Sequence, residues 1–534
     1  MIQSDIRRYL INIDSISTKQ FFTDILVVGS GIAGLRAAIE AAKDHKVTLV
    51  CKDSVSKSNT WAAQGGIAAV LDKDDDVANH ISDTLKTGCG ISDEDVVDLV
   101  VKECPSLVRQ LYQWGTGFDL EGDKLATTLE GGHSRCRVVH ANGDSTGKAI
   151  AQTLIDKVRE HPNVKVIEDF YAVDLLSNEQ SRCMGIIGHH HGETEIIWAG
   201  ATILATGGAG RLYRETTNPS IATADGLAMA YRAGAVLRDM EFMQFHPTTL
   251  YIAGASRALI TEALRGEGGI LVDCNGDAFM SDYDKAAELA PRDIVSRAIV
   301  SQLQKTNSTH VFLDVRYFEK GFFEKRFPYI YSLCRSFDIN PETDLIPVRP
   351  SAHYMIGGVK TDLDARTTVP GLYACGEAAS TGLHGANRLA SNSLAEGLVF
   401  GQIAGQRASE EIDSEPSFKK IKYTIKQSDR SLLDTSDVRN SLRAVMWRNV
   451  GINRKEQHLS DTQEIIGFWQ RYVMDKVFDK PEGWECQNML TVSRLIARAA
   501  QMRKESRGVH FRDDYPERND AEYSRHIELS CAEL

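Results

Sequence analysis

The chain has 534 residues, of which 42% are hydrophobic and 25% are charged, as in a globular protein with a large core. At about 150 residues per domain, this length predicts three or four domains. The net charge of −12 argues against a nucleic-acid-binding surface over the whole molecule. The sequence contains no run of 18 apolar residues, so it predicts no membrane span. The N-terminus also lacks the apolar core of a signal peptide, and we therefore expect a cytoplasmic protein.

Ten cysteines are scattered along the chain, and the two that lie closest in sequence, Cys89 and Cys104, are fifteen positions apart. Without CxxC spacing, neither a zinc nor an iron–sulfur site is encoded locally, and free thiols are expected. The run His189-His190-His191 has no partner ligand at a useful spacing. It predicts a polar turn at a strand end, and we predict no metal site.

The first predicted unit is a strand at residues 24–28, a helix at 35–42 and a second strand at 46–50. A glycine-rich turn joins the first strand to the helix, in the position of the dinucleotide-binding GxGxxG fingerprint. Its glycines permit a tight turn, close approach of a pyrophosphate and close packing of helix on strand. The turn, predicted to bind a dinucleotide, consists of Gly29, Ser30, Gly31, Ile32, Ala33 and Gly34.

The end of the second strand departs from this fingerprint. An acidic residue usually binds the ribose hydroxyls at this point, but the sequence here is Val50-Cys51-Lys52. Lys52 is predicted to face the adenosine or a phosphate; the alternative interpretation is a surface lysine.

Two later strand ends distinguish FAD from NAD. A strand at 201–205 is followed by Thr206-Gly207-Gly208, and one at 371–375 by Gly376-Glu377. Both resemble the further signatures of flavoproteins with two dinucleotide-binding folds. Because a carboxylate accepts hydrogen bonds from sugar-like hydroxyls, Glu377 is expected to bind the ribitol, and we predict FAD as the cofactor.

Longer motifs resemble the succinate dehydrogenase/fumarate reductase flavoprotein family over residues 24–516. They are the segments Asn59–Ile67, Gln244–Thr248, Thr261–Gly269, Glu288–Asp293, His353–Val359, Gly382–Leu394 and Glu505–Gly508.

This resemblance implies an α/β fold whose Rossmann-like two-dinucleotide-binding FAD domain is formed by residues 24–237 and 352–416. An α+β capping domain at 238–351 is expected as an insertion between these halves, with the active site in the cleft. Residues 417–534 are expected to form a C-terminal helical bundle. In agreement, 38 of the 42 glycines precede residue 417, and the spacing of apolar residues after it is helical.

The resemblance also implies which residues bind FAD. Respiratory members carry covalent FAD on a histidine, but Asn59-Thr60 stands at this place, so the resemblance implies non-covalent FAD. Besides Lys52, Glu377 and the glycine-rich turn, the residues expected at the cofactor are Asn59, Thr60, Trp61, Ala62, Ala63, Gln64, Gly65, Gly66, Ala172, Asp225, Ser393 and Leu394.

A C4 dicarboxylate beside the flavin must be held at both ends. Arg388 suits bidentate carboxylate binding, and His246, Thr261 and His353 add donors, as their equivalents do in the family. Glu262 and Arg292 complete the expected substrate-binding set.

Three residues are expected to take part in catalysis. Arg292 resembles the family's proton-transfer arginine, and His246 is expected to act beside it. Glu130, in the segment Leu129–Ser134, resembles a glutamate of the family branch that acts on L-aspartate. Its carboxylate would attract an α-ammonium group and repel a substrate that has only carboxylates; the alternative is a solvated loop residue.

The resemblance thus implies oxidation of L-aspartate to iminoaspartate, with O2 (giving H2O2) or fumarate as electron acceptor. This reaction is the first step of de novo NAD biosynthesis through quinolinate. A soluble fumarate reductase or succinate dehydrogenase flavoprotein subunit is the alternative, and a non-catalytic flavoprotein is a third reading. The sequence leaves open whether the chain is a monomer or a weak homodimer, and whether quinolinate synthase makes transient contact with it.

Overall fold

A computed structural model describes residues 7–255, 257–412, 417–426 and 433–531. The predicted boundary between the FAD domain and the C-terminal domain touches residues 413–416, which lie outside the described ranges. Residues 427–432 and 532–534 of the predicted C-terminal domain also lie outside them.

The described residues form fourteen α-helices and four single 3-10 turns. The α-helices are α1 (Ile32–Ala41), α2 (Val77–Thr87), α3 (Glu94–Gln113), α4 (Thr146–Glu160), α5 (Asp225–Arg232), α6 (Ala263–Gly266), α7 (Arg292–Thr306), α8 (Phe322–Arg326), α9 (Pro328–Arg335), α10 (Asn392–Glu410), α11 (Thr435–Asn449), α12 (Glu456–Val473), α13 (Pro481–Met502) and α14 (Asp520–Tyr523). Single 3-10 turns lie at Gly210–Leu212, Met280–Asp282, Ala287–Leu289 and Gly376–Ala378.

The strands differ widely in length. Those of three residues or more are β1 (Lys19–Val28), β2 (Val47–Val50), β3 (Val164–Ile167), β4 (Phe170–Ser177), β5 (Cys183–His190), β6 (Glu193–Leu204), β7 (Met243–Leu250), β8 (Ile270–Val272), β9 (Val311–Asp314), β10 (Ile346–Met355), β11 (Gly358–Lys360) and β12 (Leu372–Ala374). Two-residue strands lie at Ile13–Asp14, Ile67–Ala68, Leu120–Glu121, Lys124–Leu125, Thr127–Thr128, Val138–Val139, Leu237–Arg238, Ala379–Ser380, Lys422–Tyr423, Asn453–Arg454, Phe511–Arg512 and Glu528–Leu529.

The central sheet has the strand order β4-β5-β6-β1-β2-β3, and β12 adds to β6. Strands β6, β1, β2 and β3 pair in parallel, whereas β4, β5 and β6 form an antiparallel meander. The predicted strands at 24–28, 46–50, 201–205 and 371–375 all lie in this sheet. Their apolar residues are buried because helices cover the parallel part on both faces.

Helices α1 and α10 pack closely against each other through glycines. A Cβ atom added at Gly401 would lie 2.6 Å from the carbonyl oxygen of Ala33, and one at Gly405 would lie 2.5 Å from that of Ala37. This contact fixes the N-termini of both helices relative to the central sheet.

A second, antiparallel sheet of strand order β7-β10-β9-β8 has its own apolar core together with α7, α8 and α9. Most of this unit lies within the predicted capping domain, although β10 runs across the predicted boundary at residue 351. The four helices α11 to α14 form the C-terminal helical region, so the predicted fold class is confirmed. Among the described residues, helices long and apolar enough to cross a membrane are absent.

Candidate active site

A cavity of about 890 Å³ begins at the carboxyl ends of β1, β2 and β6 and extends to the N-terminus of α10. It is lined by sixteen of the twenty predicted cofactor residues, among them Lys52, Ala172, Asp225, Glu377, Ser393 and Leu394. The other four are absent from its lining: Gly34, Trp61, Gly65 and Gly66. Gly34 and Gly66 instead allow close packing, because an added Cβ would lie 1.9 Å from the Gly29 oxygen and 2.3 Å from Val138, respectively.

The glycine-rich turn between β1 and α1 forms one wall of the cavity. Gly29 has φ +115°, and an added Cβ would lie 2.1 Å from the carbonyl oxygen of Ala205 on the adjacent strand end. At Gly31 an added Cβ would meet only the Thr60 hydroxyl, at 3.4 Å, so this backbone is open towards the cavity. The turn thus presents the N-terminus of α1 to a ligand, which favours a phosphate group.

Glu377, from the predicted signature Gly376-Glu377, lines the cavity. Its Oε2 accepts a hydrogen bond from Asn59 Nδ2 at 2.7 Å, and its Oε1 accepts one from the Met355 amide at 3.0 Å. Burial raises the pKa of this carboxyl to about 7.

Lys52 forms an ion-paired cluster at the opposite end of the cavity. Its Nζ lies 2.8 Å from Asp225 Oδ2, 2.6 Å from Glu485 Oε1 and 2.6 Å from the Thr223 hydroxyl. Burial would lower the pKa of Lys52, but the two carboxylates outweigh it and raise the pKa. The ammonium group is therefore charged and only partly exposed, unlike that of a surface lysine.

The cavity suits a large ligand that combines a phosphate, a polyol and an extended ring. It joins a phosphate-binding turn, a buried carboxylate and, between them, polar atoms that have no partner in the protein. These buried, unpartnered atoms are Asn59 Oδ1, Gln64 Oε1 and Thr206 Oγ1. The chemistry of this donor and acceptor set fits FAD.

Near the N-terminus of α10, Gln244 joins two buried arginines. Its Oε1 accepts from Arg388 Nε at 3.2 Å, from Arg388 Nη2 at 3.0 Å and from Arg292 Nη1 at 3.2 Å. Burial and the neighbouring Arg292 lower the pKa of Arg388 to about 10, so the guanidinium stays charged at neutral pH. Two adjacent cations that share a neutral acceptor form a site for an anion.

Glu262 balances part of this charge. Its carboxylate lies 2.6 Å from Arg292 Nε and 3.1 Å from Arg265 Nη2. Burial alone would raise the pKa of Glu262, but the two guanidinium groups outweigh it and lower the pKa. Arg388 is paired with Gln244 and Ser393 instead, which leaves its charge available to a ligand.

The two predicted histidines lie side by side, with ring centroids 5.3 Å apart. His353 Nδ1 is 2.9 Å from the Thr217 hydroxyl and lines the cavity, while His246 Nε2 is buried without a partner. Burial and nearby arginines hold both pKa values well below the usual range, so both rings are neutral. Thr261, which directly precedes Glu262, is also buried.

Glu130 is buried at the edge of this cluster rather than solvated. Its Oε2 accepts a hydrogen bond from the Ser391 hydroxyl at 2.6 Å, and an added Cβ at Gly65 would lie 4.0 Å from its Oε1. The nearby His140 does not neutralise the carboxylate, because burial lowers the pKa of this histidine to about 4.

Several residues that contact the predicted site residues had no role in the sequence-based prediction. Gln244, Tyr354 and Ser391 lie within the recognised motifs, and this position in a motif is the signal that pointed to them. The Arg388 guanidinium lies 4.6 Å from the centre of the Tyr354 ring, whose hydroxyl donates to Glu396 at 2.8 Å. Glu485, from the C-terminal region, carried no sequence signal at all.

Comparisons with known proteins agree with this site. The FAD binding domain family matches residues 24–394, and the fumarate reductase flavoprotein C-terminal family matches residues 439–533. Among solved structures, E. coli quinol fumarate reductase is 34% identical, with a TM-score of 0.89 over 96% of this chain and 94% of that one. The fold and the cavity are therefore those of an FAD-containing oxidoreductase.

Curated relatives narrow the class further. L-aspartate oxidase of Streptomyces coelicolor is 40% identical over 94% of this chain and 90% of its own length. L-aspartate oxidase of a Nostoc species is 42% identical over 93% of this chain and 91% of its own. The chain belongs to the flavoprotein family that comprises the fumarate reductase flavoproteins and the L-aspartate oxidases.

Proposed function

We propose that the chain oxidises L-aspartate to iminoaspartate with non-covalently bound FAD and passes the electrons to O2 or to fumarate. This reaction would be the first step of NAD biosynthesis through quinolinate. Bound FAD supplies the hydride acceptor for the substrate C2 and the route of the electrons to the second substrate. The observation that carries the proposal is a buried carboxylate, Glu130, that is hydrogen-bonded to Ser391, three residues after the buried Arg388.

The charges of the cluster match an amino dicarboxylate. Arg388, with no carboxylate partner of its own, binds one substrate carboxylate, while the neutral rings of His246 and His353 form hydrogen bonds with the substrate. Arg292, held by Glu262, faces the same carboxylates. Glu130 attracts the α-ammonium group, which succinate lacks, and so favours aspartate.

The cofactor residues are proposed in the same way. The α1 N-terminus and the glycine-rich turn receive the pyrophosphate, and Glu377 binds the ribitol hydroxyls. Asp225, held by Lys52, faces the adenosine end. The N-terminus of α10, with Ser393 and Leu394 in the cavity lining, would stabilise negative charge on the bound cofactor.

Two further expectations, a cytoplasmic location and a contact with a partner enzyme, rest on general chemistry. All ten cysteines carry free thiols, which fits a reducing cytoplasm. Because an imine hydrolyses in water, a transient contact with quinolinate synthase would protect the product. Sedimentation alone and with that enzyme tests this contact and whether the chain is a monomer or a weak homodimer.

The decisive experiment is to incubate the purified flavoprotein with L-aspartate in air. We expect bleaching of the flavin absorbance under anaerobic conditions and one H2O2 per iminoaspartate in air. The Arg388→Leu variant should lose this activity. Oxidation of succinate with an artificial dye, without peroxide from aspartate, would instead support the fumarate reductase alternative.

A further inference from the structure

The loop that carries Glu130 and the segment that carries Arg388 are tied together by two side-chain hydrogen bonds. The Ser391 hydroxyl donates to Glu130 Oε2 at 2.6 Å, and His133 Nε2 donates to the Ala390 carbonyl oxygen at 2.9 Å. Both ties join the same two stretches of chain, so together they set the distance between Glu130 and Arg388.

The second tie depends on which nitrogen of His133 carries the proton. Arg137 Nη1 lies 3.0 Å from His133 Nδ1, and a guanidinium only donates hydrogen bonds. Nδ1 must therefore accept, and Nε2 carries the hydrogen that reaches Ala390. Burial also lowers the pKa of His133, so the ring is neutral and this tautomer is retained.

Arg137 itself is held in one orientation. Its side chain is completely buried, with Nε and Nη2 donating to Asp75 at 2.7 and 3.0 Å and Nη1 donating to Asp83 at 2.5 Å. Asp83 also accepts from the Ser134 amide and hydroxyl, both at 2.8 Å. These carboxylates fix the guanidinium, and the guanidinium fixes the imidazole.

We propose that His133, oriented by Arg137, is a positioning residue that sets the spacing between the ammonium and carboxylate subsites, and so selects amino dicarboxylates. This inference rests on the proposed function. A substrate that carries both an ammonium and carboxylates needs Glu130 and Arg388 at one spacing. Succinate and fumarate have no ammonium group, so a displaced Glu130 does not weaken their binding.

Two substitutions at His133 separate the two hydrogen bonds. His133→Asn places an amide oxygen where Nδ1 accepts from Arg137, but it cannot reach Ala390. His133→Gln places an amide N–H near the position of Nε2 and restores the bond to Ala390. We expect KM for L-aspartate to rise about tenfold in His133→Asn and to stay within about threefold of wild type in His133→Gln.

Two further constants distinguish positioning from a merely structural role, which would change all substrates alike. They are KM for fumarate and the Kd of succinate, the latter measured by the change in flavin absorbance. Neither constant should rise in the two variants. Arg135→Gln is the matched control, because Arg135 is exposed on the same loop; its KM for L-aspartate should equal that of wild type. If His133→Asn is unstable, Arg137→Lys removes the fixed donor to Nδ1 and should raise KM for L-aspartate alone.

Equal losses for aspartate, fumarate and succinate would overturn the inference, as would a wild-type KM for L-aspartate in both His133→Asn and Arg137→Lys. Absence of aspartate oxidation in the wild-type protein would overturn the proposed function as well. The two failures are therefore distinguishable, since one appears in the variants and the other in the unmodified chain.

Discussion

One neutral side chain holds the two key cations of the substrate cluster together. Gln244 accepts hydrogen bonds from Arg292 and Arg388 and also donates to the carbonyl oxygen of Arg388 at 2.9 Å. A carboxylate at this place would neutralise the arginines, whereas an amide leaves their charge for the substrate. With an amide at this place, a chain of net charge −12 can still offer two cations to a dicarboxylate.

Replacing Gln244 by methionine keeps the volume but removes the shared acceptor. The guanidinium groups would lose three hydrogen bonds and separate, so we expect KM for L-aspartate to rise about tenfold or more. FAD affinity, measured by fluorescence titration, should stay within about twofold. Gln304→Met on the exposed face of α7 is the control, and a wild-type KM in Gln244→Met would refute the shared-acceptor role.

The specificity assigned to Glu130 predicts a change of substrate preference. Glu130→Gln keeps the bond from Ser391 but loses the charge that faces the ammonium group, so KM for L-aspartate should rise at least about tenfold. The Kd of succinate should stay the same or fall. Glu121→Gln, at an exposed position, serves as control. If aspartate and succinate affinities changed in parallel, Glu130 would not act as the ammonium-binding group.

At the scale of elements, the contact between α1 and α10 matters most for the site. Both helices direct their N-termini into the cavity, and the glycines of α10 let the two backbones touch. Any side chain at Gly401 must push the helices apart and move the two N-termini relative to each other.

Gly401→Ala should therefore destabilise the protein by about 1–3 kcal/mol and weaken FAD binding. Gly467→Ala, on the open face of α12, has no atom within 4 Å of the added Cβ and should instead stabilise by up to about 1 kcal/mol. Denaturant unfolding at a fixed FAD concentration measures both. Similar effects from the two substitutions would mean that the helix contact is not tight.

The predicted elements were accurate where local sequence determines the backbone. The strand, turn and helix around Gly29 follow from glycine geometry, and the helical spacing predicted after residue 417 corresponds to α11, α12 and α13. Of the predicted polar turn His189-His190-His191, only His191, at φ 49°, lies in a turn, because His189 and His190 still pair with the next strand. By contrast, Glu485 pairs with Lys52 across more than 430 positions, and only tertiary packing brings them together.

At the scale of the whole molecule, the C-terminal residues are tied back to the central part of the chain. His526 lies between two carboxylates, with Nδ1 2.6 Å from Asp239 and Nε2 3.2 Å from Asp93. Burial opposes its protonation, but the carboxylates outweigh burial and the nearby Arg238, and raise the pKa of His526 to about 9.

A raised histidine pKa stabilises the fold below the unfolded value of about 6.5, and this contribution is lost as the pH rises through about 9. We expect the free energy of unfolding to fall by at most about 3 kcal/mol over this window. In His526→Gln this part of the pH dependence should disappear, whereas in the exposed control His191→Gln it should remain. Identical pH profiles for wild type and His526→Gln would rule out this role.

The pairing of Glu528–Leu529 with Leu237–Arg238 also constrains when the protein folds. A ribosome that adds about 5–20 residues per second needs roughly 7–27 s to proceed from residue 394, where the FAD binding domain match ends, to Leu529. During this interval the nascent chain presents the edge at Leu237 without its partner strand, and Lys52 without Glu485. The cofactor cavity therefore reaches its final form only after the C-terminal region has been synthesised.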